Sequence, residues 1–206
     1  MNNLLSEAYL AAEKFLAFQR FAQQERLQKR LLAEEFQARH LDEWLFKCAR
    51  KEVGALEEKR VKDGEDHLGL FLLHSRIYHH PNQSLRMQPG GSAILEMSKQ
   101  LDLLYALEKA AIINEMISRS RLIKGETYEV QTELKKWEAA SEGIQHPALR
   151  LYRMRLAVTG GDRMARYQSL REALPANLEQ LSEKDQKLHL LALLNDTILR
   201  CISTCT

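Results

Sequence analysis

The longest run of helix-compatible sequence lies between Ser92 and Lys124, and it contains neither Gly nor Pro. Its apolar residues recur every three or four positions, which is the spacing of an amphipathic α-helix. A hairpin that turns near Leu107 is the alternative, but no Gly, Pro or Asn near the middle marks such a turn. We therefore predict one long central helix over residues 92–124, against which shorter helices pack. The apolar series is Ile94, Met97, Leu101, Leu104, Ala111 and Met116, with Glu108 as its one polar member.

The segments on either side of this stretch also predict helices, separated by recognisable breaks. Residues 4–38 predict two helices folded as a hairpin with the turn near Gln23 or Gln24, because a single helix would leave its drifting apolar stripe unpaired. Asp63, followed three residues later by Asp66, predicts a capping box at the start of a helix. Residues 81–91 have the sequence PNQSLRMQPGG and predict a linker, which is the best place for a subdomain boundary.

Helix-forming residues dominate the chain, and no alternating strand pattern of convincing length occurs, so the predicted fold class is all-α. Gly90, Gly125 and Gly160 follow one another at intervals of 35 residues, close to the period of about 34 residues in tetratricopeptide arrays. The side-chain signature of that repeat is missing, so we expect its geometry only. We predict a single domain over residues 1–206, in which antiparallel helix hairpins stack as a tetratricopeptide-like right-handed array.

Composition narrows the function classes without choosing one. The 30 basic and 28 acidic residues give a net charge of +2, which requires no anionic partner and argues against nucleic acid. Three Cys residues without a C-x-x-C motif fit a reducing compartment better than a disulfide framework. The N-terminal sequence lacks the basic start of a signal peptide, and no uncharged apolar run approaches the ~20 residues of a membrane span. We expect a soluble protein of the cytoplasm with no membrane partner.

Five segments, taken together and in order, resemble a family of uncharacterised bacterial proteins built from irregular helical hairpins. The segments are EAYLAAEKFLAF, RHLDEWLFK, LDLLYALEKAAIINEMISRSRLIKGETYEV, HPALRLYRMRLAV and LLALLNDTILRCI. The resemblance implies an all-helical fold with tetratricopeptide-like hairpins, and it implies no activity, because none is established for the family. The chain departs from the family pattern after Asn195, where Asp196 and Thr197 replace an aromatic and a small residue.

Histidine is concentrated before Pro81, where His67 and His74 lie seven residues apart on one helix face. A transition metal accepts such ligands, and a metal-binding sensor or enzyme at His67 and His74 is one alternative function. The H-E-x-x-H motif and an i, i+4 His pair are both missing. We therefore prefer the interpretation of a solvent-facing helix end, and we predict neither a metal site nor any other cofactor.

Arginine is concentrated in residues 150–171, with Tyr152 and Tyr167 interleaved. Guanidinium groups bind phosphates, so this Arg-rich face supports an alternative function in nucleic-acid binding. Such a run is more often a solvated helix face. The candidate nucleic-acid ligands are Arg150, Arg153, Arg155, Arg163 and Arg166.

The central helix carries the remaining candidate site. Asn114 lies in an otherwise apolar stretch, and a buried Asn must bond a neighbour or line a groove. Tyr105 and Lys109 precede it on the same helix, so we take Tyr105, Lys109 and Asn114 as candidate groove residues. Stacked helix hairpins form extended grooves, and no catalytic set is visible. The leading hypothesis is a non-catalytic scaffold for an unidentified protein or peptide partner, with self-association left open.

Overall fold

The computed structural model of the chain describes residues 2–82, 93–123, 125, 127–156 and 163–204. Within these ranges the backbone forms nine α-helices and one 3₁₀ turn, with no β-strand, so the all-α prediction is confirmed. The 3₁₀ turn, Leu178–Gln180, joins the last two helices. The helices are α1 (Asn2–Gln23), α2 (Glu25–Ala38), α3 (Asp42–Glu58), α4 (Gly64–Tyr78), α5 (Ala93–Leu122), α6 (Val130–Ala140), α7 (Pro147–Leu156), α8 (Arg163–Asn177) and α9 (Glu183–Thr204).

The prediction of one long central helix is confirmed, because α5 runs unbroken for 30 residues. Gly125 follows it with a φ of +97°, the left-handed conformation that glycine adopts without steric cost just beyond a helix. The break predicted near Gln24 is also present, since α1 ends at Gln23 and α2 begins at Glu25. Tyr9, Phe15 and Phe18 are nevertheless exposed. The apolar side chains of α1 are therefore not covered by α2 as a packed hairpin would require.

The described chain forms two compact units, residues 1–54 and residues 55–206, and the division falls within α3. In the first unit the buried apolar side chains are Ala33, Leu45, Phe46 and Ala49. Lys29 links α2 to α3 through an ion pair with Glu52 at 2.7 Å. The single domain over 1–206 stays a prediction, and most of the predicted boundary at 81–91 lies outside the described residues.

The second unit contains the main hydrophobic core, to which α5, α6, α7 and α8 contribute. Trp137 of α6 is buried against α5, where its indole Nε1–H donates to the Ala106 carbonyl oxygen at 2.8 Å. Ala106 and Ala110 have no exposed surface, and their small side chains leave room for such close helix contacts. The right-handed tetratricopeptide-like stacking of these helices stays a prediction.

Candidate functional site

The N-terminus of α4 is fixed by a capping box, as the sequence predicts. The Asp66 backbone N–H donates to the Asp63 carboxylate at 2.9 Å, and the Asp63 backbone N–H donates to the Asp66 carboxylate at 2.9 Å. This reciprocal pair satisfies two amides that the first turn of a helix otherwise leaves unbonded. The Asp66 carboxylate is buried and also forms an ion pair with Lys59. The start of α4 is therefore fixed to the segment that precedes it, and α4 packs against α5.

Helix α5 is apolar on two faces. Its buried face contains Ala106, Leu107, Ala110 and Ile113 and packs into the core. The other face includes Leu101 and Ile112, which are 47% and 49% exposed. Within the predicted apolar series, Ile94 and Leu101 are exposed on this outer face, whereas Ala111 packs against the core. A water-facing apolar stripe of this length on a helix is a feature of binding surfaces.

An open groove follows the outer face of α5 where it meets α4, and its volume is about 480 Å³. Leu68 of α4 and Leu101, Leu104, Tyr105 and Ile112 of α5 form its apolar part. Among these side chains, Tyr105 is 43% exposed and Leu68 is 38% exposed. We call this surface the α4–α5 groove. The described residues that line it are Gly64, Glu65, Leu68, Leu101, Leu104, Tyr105, Glu108, Lys109 and Ile112.

Two carboxylates line the groove next to the start of α4. They belong to Glu65 and Glu108, and the latter side chain is 51% exposed with Lys184 at 3.9 Å. A Cβ atom at Gly64 would lie 2.5 Å from the Glu108 Oε1 atom, so the glycine permits this carboxylate to approach the helix start. Negative charge is favoured there, because unbonded backbone N–H groups give a helix N-terminus a partial positive charge.

The one cation in the groove lining is already engaged by a neighbouring helix. Lys109 forms an ion pair with Glu133 of α6, and Lys136 binds the same carboxylate at 2.8 Å. The hydrogen bonds from Lys109 and Lys136 lower the pKa of Glu133 to about 2. The Lys109 charge is therefore largely neutralised, and Glu108, with Lys184 at 3.9 Å, is the half-exposed acidic group of the groove.

The structure brings together two of the three groove residues inferred from sequence. Tyr105 and Lys109 both line the α4–α5 groove, whereas Asn114 does not. At about 100° per residue, the nine positions from Tyr105 to Asn114 turn the helix by roughly 180°, so the two residues lie on opposite sides of α5. Asn114 is half-buried, and its backbone carbonyl accepts a hydrogen bond from the Ser118 hydroxyl at 2.9 Å. Leu68 and Glu65 could not be assigned to the groove from sequence, because they come from another helix.

The interpretation of the histidines as a solvent-facing helix end is wrong. His67 and His74 are 3% and 8% exposed, because α4 is covered along the face that carries them. The His67 Nδ1–H donates to the Gln100 side-chain oxygen of α5 at 2.7 Å. Among the residues that the structure describes, no group of three or more His, Cys, Asp or Glu side chains has the arrangement of a metal site. The metal alternative at His67 and His74 gains no support from this geometry.

His146 also lies in this buried region, although sequence reasoning did not single it out. Its ring meets His67 edge to face, with 5.6 Å between centroids, and its Nδ1 atom accepts the Ala148 backbone N–H at 3.2 Å. His146 thus caps the start of α7. Burial, with the neighbouring His67 charge, lowers the pKa of His146 to about 4, and a hydrogen bond to the Lys62 backbone opposes this shift. The ring is therefore neutral near pH 7.

His189 of α9 is the second histidine missed from sequence. It is completely buried, and its ring lies 4.8 Å from the Tyr152 ring between centroids. Neither of its ring nitrogens has a hydrogen-bond partner within the described parts of the chain. Burial, with the nearby Arg155 charge, lowers the pKa of His189 to about 4. Burial also raises the pKa of the Tyr152 hydroxyl above its ordinary value.

The Arg-rich segment does not present one uniform face. Arg153 of α7 is half-buried, and its guanidinium donates to the Ser141 carbonyl at 2.5 Å and to the Ile144 carbonyl at 3.1 and 3.2 Å. Those carbonyls follow the end of α6, so Arg153 joins two core helices. Arg150 is exposed and Arg155 is half-buried. Arg163 and Arg166 lie on α8, but their side chains are outside the described part of the structure. The nucleic-acid alternative therefore gains no support from Arg153.

A second depression, of about 670 Å³, lies between the start of α4 and the start of α9. Its basic side chains are already paired: Lys59 binds Asp66, Lys187 binds Glu183 at 2.7 Å, and Lys184 lies near Glu108. Ser182 caps α9 through a hydrogen bond from the Asp185 backbone N–H at 3.1 Å. The polar groups of this depression are thus engaged in ion pairs and a helix cap that support the fold. The α4–α5 groove is therefore the better candidate site.

None of the described helices combines the length and the apolar character that crossing a membrane requires. Comparisons of the chain with protein-family models, with curated proteins and with solved structures give no match. The resemblance to the family of uncharacterised bacterial proteins therefore stays an expectation from sequence. The functional argument depends on the geometry of the groove itself.

Proposed function

We propose that the protein is a non-catalytic helical scaffold that binds a protein partner in the α4–α5 groove. The observation that carries this proposal is the exposed apolar stripe of α5, which together with Leu68 forms an open groove. Exposed apolar surface that forms a groove with few charged groups suits a protein partner. The tetratricopeptide-like right-handed stacking expected from sequence is part of this proposal, since such hairpin arrays form extended concave surfaces.

An amphipathic helix is the occupant that best fits the groove. From Leu101 to Ile112 the stripe extends for about 17 Å, or roughly three helical turns. A helix that presents apolar residues at positions i, i+3 or i+4, and i+7 covers that length with one face. The half-exposed Glu108 carboxylate favours a Lys or Arg on the facing side of this helix. The proposed partner is therefore an amphipathic helical segment with a basic residue beside its apolar face.

The polar groups of the groove favour binding over catalysis. Lys109 is engaged by Glu133, and Glu108 lies at the edge of the apolar surface beside Lys184. A general acid or base needs a positioned partner and a reacting group within hydrogen-bond distance. The described lining provides neither a nucleophile beside a base nor a converging set of donors. We accordingly assign the groove a role in recognition.

The proposal is tested with three designed helical peptides of 18 residues. One has the apolar stripe and an Arg placed to meet Glu108, the second has Glu in place of that Arg, and the third is a scrambled sequence. We expect the Arg peptide to shift the backbone amide NMR signals of Leu101, Tyr105 and Ile112. The Glu peptide should bind about tenfold more weakly, because it places a second carboxylate beside that of Glu108. The scrambled peptide should not bind.

Leu101→Lys and Leu95→Lys provide a matched pair of variants. Both residues are exposed leucines on α5, but Leu95 lies outside the groove lining. Leu101→Lys should abolish binding of the Arg peptide, whereas Leu95→Lys should leave it unchanged. Equal effects of the two variants, or signal changes away from the groove, contradict the proposal. A peptide with the sequence of residues 2–23 forms the fourth arm, and tighter binding of that peptide would assign the groove to a second copy of the chain.

A further inference from the structure

One ion pair connects the α4–α5 groove to the second depression. Glu108 lines the groove, whereas Lys184, the second residue of α9, lines the depression and not the groove. The Lys184 amine lies 3.9 Å from the Glu108 Oε1 atom. A basic side chain that binds in the groove at Glu108 therefore meets a cation of the protein itself that already lies beside the same carboxylate.

The contact between Glu108 and Lys184 is loose. Its separation of 3.9 Å is longer than a hydrogen bond, and the two side chains are 51% and 56% exposed. In the same depression, Lys187 binds Glu183 much more closely, at 2.7 Å. An exposed ion pair without a hydrogen bond contributes little to stability. Another cation can therefore replace Lys184 at Glu108 without disturbing the fold.

Two other carboxylates in this region are engaged in helix caps. Asp63 accepts a backbone N–H in the capping box of α4, and Asp185 accepts the Ser182 hydroxyl at the start of α9 at 2.6 Å. In the part of the chain that the structure describes, the ion pair of Glu108 is the one with Lys184. Glu108 is thus the carboxylate that can exchange its partner without loss of a cap.

We propose that Lys184 competes with the partner for Glu108, so that the charge of Lys184 limits the affinity of the α4–α5 groove for a basic helix. This inference rests on the proposed function of the groove. When the partner binds, its Lys or Arg takes the place of Lys184, whose side chain turns toward the depression that it lines. Lys184 is then a residue outside the groove that sets how strongly the groove prefers a basic partner.

Isothermal titration of the full chain with the Arg peptide tests the competition. Lys184→Gln should bind this peptide about threefold more tightly, because the competing pair is an exposed one. Lys184→Arg keeps the competing charge and should keep the native affinity. Lys187→Gln, which makes the same change in net charge on the same helix, should also leave the affinity unchanged. Circular dichroism should show α9 intact in Lys184→Gln, because a cation in the first turn of a helix does not stabilise it.

A second background separates displacement of Lys184 from general charge repulsion. In Glu108→Gln nothing holds Lys184 beside the groove, so adding Lys184→Gln should not change the affinity for the Arg peptide. Simple repulsion between Lys184 and the peptide would instead give the same strengthening in both backgrounds. That result, an unchanged affinity in Lys184→Gln, or equal effects of Lys184→Gln and Lys187→Gln overturns the inference and leaves binding in the groove intact. An Arg peptide that binds none of these chains overturns the proposed function, and the inference with it.

Discussion

Acidification should destabilise the second compact unit through its buried histidines. The part of this effect that is due to His189 can be measured separately with a variant of that residue. The His189 ring is fully buried beside Tyr152, and no described group accepts or donates a hydrogen bond to either nitrogen. Burial lowers its pKa from 6.5 to about 4, with the Arg155 charge acting in the same direction. Between these two values the unfolded chain binds a proton that the folded chain excludes. Above about pH 6.5 the protonation of His189 therefore does not reduce the free energy of unfolding. As the pH falls from 6.5 toward 4, protonation of the unfolded chain lowers the free energy of unfolding.

The size of the effect follows from the two pKa values. A difference of 2.5 pKa units, from 6.5 to about 4, corresponds to about 3 kcal/mol when the pH is below both values. At pH 5 the folded ring is still mostly neutral while the unfolded ring is mostly charged, so roughly 2 kcal/mol should already be lost. His146 has the same direction and a similar pKa, and it adds a loss of comparable size. Asp185 opposes them, because burial raises the pKa of its carboxyl group and favours its protonated form in the folded state.

Urea denaturation of the native chain and of His189→Leu at several pH values from 7.5 to 4.5 separates these contributions. Leu has a similar volume and no polar atom to desolvate, so the variant should be at least as stable as the native chain at pH 7.5. The variant's advantage should grow by about 2 kcal/mol by pH 5, since His146 and Asp185 are common to both proteins and cancel. A stability difference between native chain and His189→Leu that does not change with pH would refute the reasoning.

Two further predictions concern the caps and connections of the second unit, and both are checked by urea denaturation at pH 7.5. Arg153→Met should lower the free energy of unfolding by about 2 kcal/mol, because the carbonyls beyond α6 lose a charged donor while the apolar stem is kept. Arg150→Met, at an exposed position of the same helix, should change the free energy of unfolding little. Equal effects of the two variants would contradict the structural role of Arg153. Asp63→Ala should lower the free energy of unfolding by about 1 kcal/mol through loss of the N-cap of α4. Asp102→Ala, on the exposed side of α5, should leave the free energy of unfolding unchanged. An Asp63→Ala variant as stable as the native chain would show that the capping box is not formed.

Local signals were sufficient to predict the helices themselves. The absence of Gly and Pro in residues 92–124 predicted α5 to within two residues at each end, and Asp63 with Asp66 predicted the capping box that the structure contains. Such features involve residues close in sequence, and their energies are fixed by backbone geometry and near-neighbour hydrogen bonds. They therefore require no knowledge of which helices meet.

Which face of each helix is buried could not be predicted from these local signals. On α5 the most conspicuous leucine and isoleucine of the periodic series, Leu101 and Ile94, are exposed, while the less conspicuous series that includes Ala106 and Ala110 lies in the core. Small residues give a weak hydrophobic signal, yet they are what permits Trp137 to contact the backbone of α5. Periodicity identifies an apolar face, whereas burial depends on which partner helix is complementary in shape. Half of the groove was missed for the same reason, because Leu68 comes from α4.

The burial of the histidines could not be predicted from local sequence either. A polar residue near the end of a helix usually faces water, and that expectation placed His67 and His74 at the surface. The structure buries both, and it gives His67 a hydrogen-bond partner, Gln100, that is 33 positions away in the chain. A partner so distant leaves no local trace in the sequence. His146 and His189 were overlooked because the helices that bury them are also distant in sequence, and burial lowers the pKa of each to about 4.

The residues that support the fold differ from those that line the proposed binding surface, and that separation makes the proposed function open to a clean test. His189, Arg153 and Asp63 are committed to buried or backbone contacts, so their substitution should change unfolding without addressing recognition. Leu101 and Ile112 contribute little to the core because about half of each side chain is exposed to solvent. Substitution of an exposed apolar residue by a polar one normally costs less than about 0.5 kcal/mol of stability. A Leu101→Lys variant that keeps its unfolding midpoint but no longer binds the Arg peptide would therefore support a binding role for the groove. If the variant loses both stability and peptide binding, Leu101 supports the fold and the stripe is not a binding surface.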